Sequence, residues 1–202
     1  NAPQSIVISG EGAAVDVVVE RLGKFGVKTI TLKVSHAFHS QMMDPILEEF
    51  LAELEGIDFK PPKKILISNI TGRPWDKKQL SADYWVDHLR GTVRFSDGIN
   101  YAKSKKIEIF LEIGPKPTLL GLGRASLSSN FGTWLPSLKP NNECSTLLSS
   151  VGQLYVCGID INWKAFYAQA KLERMKLPNY SWRYQRCWTD IVSTGGNGTR
   201  LH

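Results

Sequence analysis

The order of apolar runs and chain breakers predicts an α/β protein whose larger part is a layered core around a parallel sheet. Three observations carry this. Between residues 65 and 156 short β-rich runs alternate with helical stretches, the pattern of repeated strand–helix units. The run 107–113 is almost continuously apolar, interrupted only by Glu108 and Glu112, as in a parallel strand covered on both faces. Ahead of these, strand, helix and strand follow one another with tight joints before residue 38.

In chain order, residues 6–10 form a β-rich run closed by Gly10. Val15, Val18, Val19 and Leu22 then recur at helical spacing up to Gly26. Ile30, Leu32 and Val34 alternate with Thr29, Thr31 and Lys33, which predicts a half-buried strand over 29–34. This is half of a split ferredoxin-like unit, so the chain is expected to enter midway through a subdomain. After the irregular 35–40 segment a helix is predicted with Asp44 as N-cap, Pro45 at its first position and an apolar stripe through Ile46, Leu47, Phe50, Leu51 and Leu54. Pro61 and Pro62 close that helix region, and 65–67 reads as a short strand. Helices are predicted over 81–90 and 96–105 with the Gly91–Thr92 break between them, and over 118–127 and 145–156, with a short strand over 132–135 stopped by Pro136. Beyond Asn162 the chain becomes aromatic, with Trp163, Phe166, Tyr167, Tyr180, Trp182, Tyr184 and Trp188, and ends in a glycine-rich polar stretch expected to be disordered.

The chain has 202 residues, 42% hydrophobic and 22% charged, enough for one sizeable core or one core plus a subdomain. No apolar run reaches the ~18 residues that would span a bilayer, so no membrane association is expected. Cys144, Cys157 and Cys187 are scattered and odd in number, which fits reduced thiols in a cytoplasm better than a disulfide framework or a zinc site. The net charge of +6 is spread over clusters such as Lys63–Lys64 and Lys103, Lys105, Lys106. No arginine-rich helix or aromatic platform accompanies them, so nucleic-acid binding is not expected; a basic face also suits an acidic protein partner.

Of the four histidines, His36 and His39 sit three apart in a loop ahead of a predicted helix. Such a pair can be ordinary turn residues, and a metal site would need a third ligand that no nearby Cys, Asp or Glu supplies. It can also present a general base for a serine or cysteine nucleophile. No GxSxG elbow is present to supply that nucleophile, and Ser126 reads as an ordinary helix residue. The residues alone lead to a histidine base lacking its nucleophile.

Several segments, taken together, resemble one family. Val34-Ser35-His36-Ala37-Phe38-His39-Ser40, followed by Met42 and Pro45, is similar to the histidine motif of acyltransferase domains in modular type I polyketide synthases. Ser68-Asn69-Ile70-Thr71-Gly72 resembles that family's SN-x-TG segment. Tyr84-Trp85-Val86-Asp87-His88-Leu89-Arg90 with Val93-Arg94-Phe95 resembles its YWVxxLRxxVRF stretch. Phe110-Leu111-Glu112-Ile113-Gly114-Pro115 resembles its FLEVGP strand end, and Leu177-Pro178-Asn179-Tyr180 through Arg186 and Trp188 resembles the linker that follows the domain.

The resemblance implies the C-terminal part of an α/β-hydrolase-like core and a malonyl-CoA:acyl carrier protein transacylase-like reaction. It divides the chain into a partial ferredoxin-like subdomain over 1–38, the acyltransferase core over 39–160, the linker over 161–190 and a tail over 191–202. A serine in a GHSxG elbow would take the acyl group from coenzyme A and pass it to the phosphopantetheine thiol of an acyl carrier protein, with no bound cofactor. His39 would be the general base, oriented by a backbone carbonyl at His88. His36, Ala37 and Phe38 would select the extender unit, and the HAFH form goes with malonyl because a bulky Phe38 narrows the space for an α-methyl group. The elbow, the carboxylate-binding arginine and the oxyanion hole would lie upstream, so the chain alone is expected to be inactive. Implied partners are the N-terminal part of the domain, the carrier protein and a ketosynthase domain. The alternative is a non-catalytic scaffold or docking fragment of the same megasynthase.

Overall fold

The computed structural model describes residues 1–76, 79–127, 130–170 and 175–187, and the chain divides into two compact units, 1–161 and 162–202. In the first unit α1 spans Gly12–Lys24. Its start is marked by Glu11, whose carboxylate accepts the free backbone N–H groups of Ala13 and Ala14. Gly26, at φ 73°, lets the chain leave the helix in a left-handed turn. The runs on either side, 6–10 and 29–34, depart from expectation: neither forms a strand among the described residues. Ile6 and Ile30 are 80% and 77% exposed. The β-rich run 6–10 and the alternation over 29–34 are present, but a strand is made by hydrogen bonds to a neighbour, and no described segment forms a ladder with either run.

The next helix begins differently from the sequence expectation. Ser40, not Asp44, is the cap: its hydroxyl accepts from Met42 N at 3.2 Å and opens a 3-10 helix over Gln41–Ile46 that contains Pro45. The α-helix α2 follows over Leu47–Leu54. Asp44 instead accepts from Arg90 Nε, which ties this segment to the end of the following helix. The predicted strand at 65–67 shrinks to one antiparallel bridge between Ile67 and Pro74. It belongs to a tight reversal held by Ser68 N to Arg73 O and Trp75 N to Leu66 O, both 2.8 Å.

Helix α3 spans Ala82–Arg90 and α4 spans Phe95–Ser104. Strand β1 (Ile109–Glu112) and strand β2 (Thr133–Pro136) pair in parallel, Ile109 opposite Thr133 and Glu112 opposite Pro136. Their crossover contains α5, Leu119–Ser126, as a parallel pair requires. Glu112, at the end of β1, caps α5 with both carboxylate oxygens, accepting from Thr118, Leu119 and Leu120 N–H. Its charge sits where the helix dipole is positive. The core here is Leu120, Trp134 and Leu135, with Trp134 stacked on Phe110 at 4.0 Å between ring centroids. Gly123 permits this packing, since a Cβ there would come within 2.3 Å of the Trp134 ring. Helix α6, Glu143–Val156, is joined to the end of β2 by Ser150 Oγ donating to Pro136 O at 2.7 Å. Burial of β1 on both faces is not found among the described residues, where Leu111 stays exposed, as does Ile113 just beyond the strand.

In the second unit, helix α7 is one turn, Trp163–Phe166, capped by Asn162, whose side-chain oxygen accepts from Ala165 N. Trp163, Phe166 and Tyr167 make mutual ring contacts, and Tyr180 meets Trp182 at 5.0 Å. Residues 175–187 form no regular structure. Trp188 and the glycine-rich tail lie outside the described residues.

Candidate active site

Two chain segments form the site: the loop ending at His39 and the C-terminal end of α3. A helix leaves its last carbonyls without intrahelical donors, and at the end of α3 His39 supplies them. Its backbone N–H donates to Leu89 O at 3.0 Å. Its ring Nδ1 lies 3.0 Å from His88 O and 2.9 Å from Gly91 O. Two carbonyl acceptors at one ring nitrogen require that nitrogen to carry the proton. Nε2 of the neutral ring therefore holds the lone pair. The dipole of α3 puts its negative end against the same ring, where the charge of an imidazolium would fall.

Local backbone geometry enforces this arrangement. His39 has φ 61°, a left-handed conformation uncommon outside glycine. It is held there because the backbone and side chain bond the same helix end. Gly91 N–H donates to Asp87 O at 2.6 Å, and a Cβ at Gly91 would sit 2.7 Å from that oxygen. Glycine is thus required for the chain to turn close enough to offer Gly91 O. On the other side, Ser40 Oγ donates to Ala37 O at 2.6 Å and Ser9 Oγ donates to Phe38 O at 2.8 Å, which fix the loop before His39.

The His88 ring lies beside His39, with 5.6 Å between centroids in an edge-to-face arrangement. It also contacts the Tyr84 and Trp85 rings and meets Asn69 Nδ2 at 3.3 Å through Nε2. Burial, and then the neighbouring charge of His39, push the His88 pKa below the ordinary histidine value. Asn69 belongs to the reversal 66–75, whose centre is Ser68, only 1% exposed. Ser68 Oγ meets Tyr84 Oη at 3.0 Å and accepts from Ile70 N and Thr71 N. Asn69 O accepts from Arg94 N at 2.7 Å, just past the 88–91 stretch.

The structure brings His39 and His88 together, with the His88 backbone and its ring both engaged. His36 pairs with Ser35 Oγ at 3.0 Å and with the Phe38 ring at 5.8 Å, while Ala37 supplies the carbonyl that Ser40 uses. Sequence reasoning treats Asn69 as part of a motif and Gly91 as a helix break, and gives neither a place in the site. The signal for Gly91 was present as the glycine closing a helix that runs from Ser81. No periodicity marks Asn69.

Comparison with known proteins identifies the family of the chain. Residues 1–161 match the acyl transferase domain family. The chain is 40% identical over 199 residues to polyketide synthase GfsB of Streptomyces halstedii, covering 97% of this chain and 4% of that protein. It resembles the acyltransferase domain from the second module of the salinomycin polyketide synthase with a TM-score of 0.76 and 35% identity, covering 84% of this chain and 40% of that one. The acyltransferase domain of SpnD in complex with 2-(pent-4-yn-1-yl)malonyl gives 0.71 and 32%, covering 75% and 38%. The chain therefore spans only a small part of the synthase it matches and about two fifths of the solved domains. It belongs to the acyl transferase family, as an acyltransferase domain of the modular type I polyketide synthase kind.

Proposed function

We propose that this chain supplies the general base, His39, of a Ser/His ping-pong transfer of a malonyl-type unit from coenzyme A to an acyl carrier protein. The observation that supports it is the clamp of His39 Nδ1–H between His88 O and Gly91 O, which leaves Nε2 as the proton acceptor. In the first half-reaction Nε2 takes the proton of a serine hydroxyl as its oxygen attacks the thioester carbonyl. The imidazolium then returns that proton to the departing coenzyme A thiolate as the acyl–serine ester forms. In the second half, Nε2 takes the proton of the carrier's phosphopantetheine thiol, the sulfur attacks the ester, and the proton goes back to the serine oxygen. Throughout, the two carbonyls hold the ring in one tautomer, the part an aspartate plays in other Ser/His systems.

The serine, its oxyanion hole and the carboxylate-binding arginine come from a segment other than these residues, since no GxSxG occurs in the chain. The isolated chain is accordingly inactive. His36, Ala37 and Phe38 set the extender preference: Phe38 occupies space near the base that an α-methyl group would need. Residues 1–38 are part of a ferredoxin-like subdomain, 39–160 form part of an α/β-hydrolase-like core, and 161–190 form the linker toward neighbouring domains such as a ketosynthase.

The test is intact-mass acylation of the domain completed by its serine-bearing segment, offered malonyl-CoA and methylmalonyl-CoA separately. Malonyl adduct is expected to form preferentially, and His39→Ala to slow it by at least about a hundredfold. An undiminished adduct in His39→Ala overturns the assignment of the base, and equal loading of the two substrates overturns the selectivity.

A further inference from the structure

We propose that Asn69 is a positioning residue for the acyl-transfer base, acting through His88: it ties the reversal 66–75 to both ends of the 88–94 stretch that holds His39. This rests on the reading of His39 as the base. Asn69 engages the stretch at two points, its side-chain Nδ2 at His88 Nε2 (3.3 Å) and its backbone O at Arg94 N (2.7 Å). Between those points lie the two carbonyls that receive His39 Nδ1–H. The reversal is itself a firm anchor. Ser68 is buried and bonded to Tyr84 and to its own turn, and Gly72 at φ 65° lies close against Asp97, so no side chain fits there. A displacement of the helix end would misplace Nε2 directly, because among the described residues the hydrogen bonds of the ring go to the two backbone carbonyls at that helix end.

The Asn69 tie also sets the protonation of His88. An amide N–H on Nε2 needs a lone pair there, so the bond exists only with neutral His88 carrying its proton on Nδ1. The groups recorded against the His88 ring are Asn69, His39, Tyr84 and Trp85, of which only His39 and Tyr84 titrate. His88 is therefore held uncharged beside a base that must itself become charged during turnover, and burial acts in the same direction. Removing the amide would let His88 take up a proton at higher pH, and its charge would then oppose protonation of His39.

The experiment is the pH–rate profile of malonyl transfer by the domain completed by its serine-bearing segment and carrying Asn69→Ala, His88→Asn or both, with Thr71→Val as a same-segment control. Because Asn69 is exposed and its backbone bond to Arg94 survives substitution, the variant is expected to fold; melting temperatures check this. Asn69→Ala is expected to lower the rate about tenfold and to shift the acid limb to lower pH with a shallower slope. His88→Asn keeps the backbone carbonyl and removes the ring, so Asn69→Ala made on that background is expected to cost little and to leave the acid limb unmoved. Three results overturn the proposal while His39→Ala still abolishes transfer: an Asn69→Ala rate within twofold of wild type, a uniform loss at all pH values, or additive effects in the double variant. Transfer that survives His39→Ala would instead remove the reading on which the proposal rests.

Discussion

The region around His39 and the region from 6 to 34 differ in what completes them. Around His39 the side chains and the backbone find partners within the chain: Ser40 to Ala37 O, His39 N to Leu89 O, His39 Nδ1 to two carbonyls, and in the neighbouring reversal Ser68 to Tyr84. Between 6 and 34 α1 is closed by its own bonds, and the two apolar runs beside it lie exposed and join no sheet among the described residues. A helix end and a histidine can satisfy each other over a short span. A strand satisfies its backbone only through a second strand.

This contrast can be broken most severely at the reversal that anchors the site. Gly72→Ala puts a methyl group within 2.4 Å of Asp97 Cβ at a backbone φ of 65°. It is expected to destabilise the protein by about 2–4 kcal/mol, through clash and left-handed strain together, as read by urea unfolding. A loss under about 0.5 kcal/mol would mean that the 66–75 turn relaxes freely and does not anchor the helix end.

A smaller effect is expected from acid. The folded-state pKa of His88 lies below its ordinary value of 6.5. Below 6.5 the unfolded chain therefore binds a proton that the folded chain resists, and stability declines as pH falls through that window until the folded His88 also protonates. His88→Asn is expected to flatten this decline when stability is measured from pH 7.5 to 5. An unchanged slope would show that the ring is not held neutral by folding.

The smallest effect belongs to the other region. Ile30→Thr, at a side chain that is 77% exposed, is expected to change the stability of this chain by no more than about 0.5 kcal/mol. A loss above about 1.5 kcal/mol would show that the run is packed after all and erase the difference between the regions.

Helices α1, α3, α4, α5 and α6 were all legible because each announces itself locally, by apolar spacing and by breakers such as Gly26 and Gly91. The apolar runs at 107–113 and 132–135 pointed to β1 and β2, and their parallel pairing followed from the helix between them. His39 and His88 were reached through a resemblance of motifs, since residue chemistry alone stopped at a histidine pair in a loop.

Sequence by itself determined the short-range structure: where helices start and stop, which runs favour extended backbone, and the family to which the motifs point. Only the tertiary structure decided that Ser40 rather than Asp44 opens the second helix, that Asp44 goes to Arg90, and that His39 and Asn69 both meet the end of α3. The physical reason is range. Helix periodicity and capping act within a few residues, whereas His39 and its two carbonyls are 49 and 52 residues apart along the chain. Their meeting depends on how the intervening segments pack, and no local pattern encodes it.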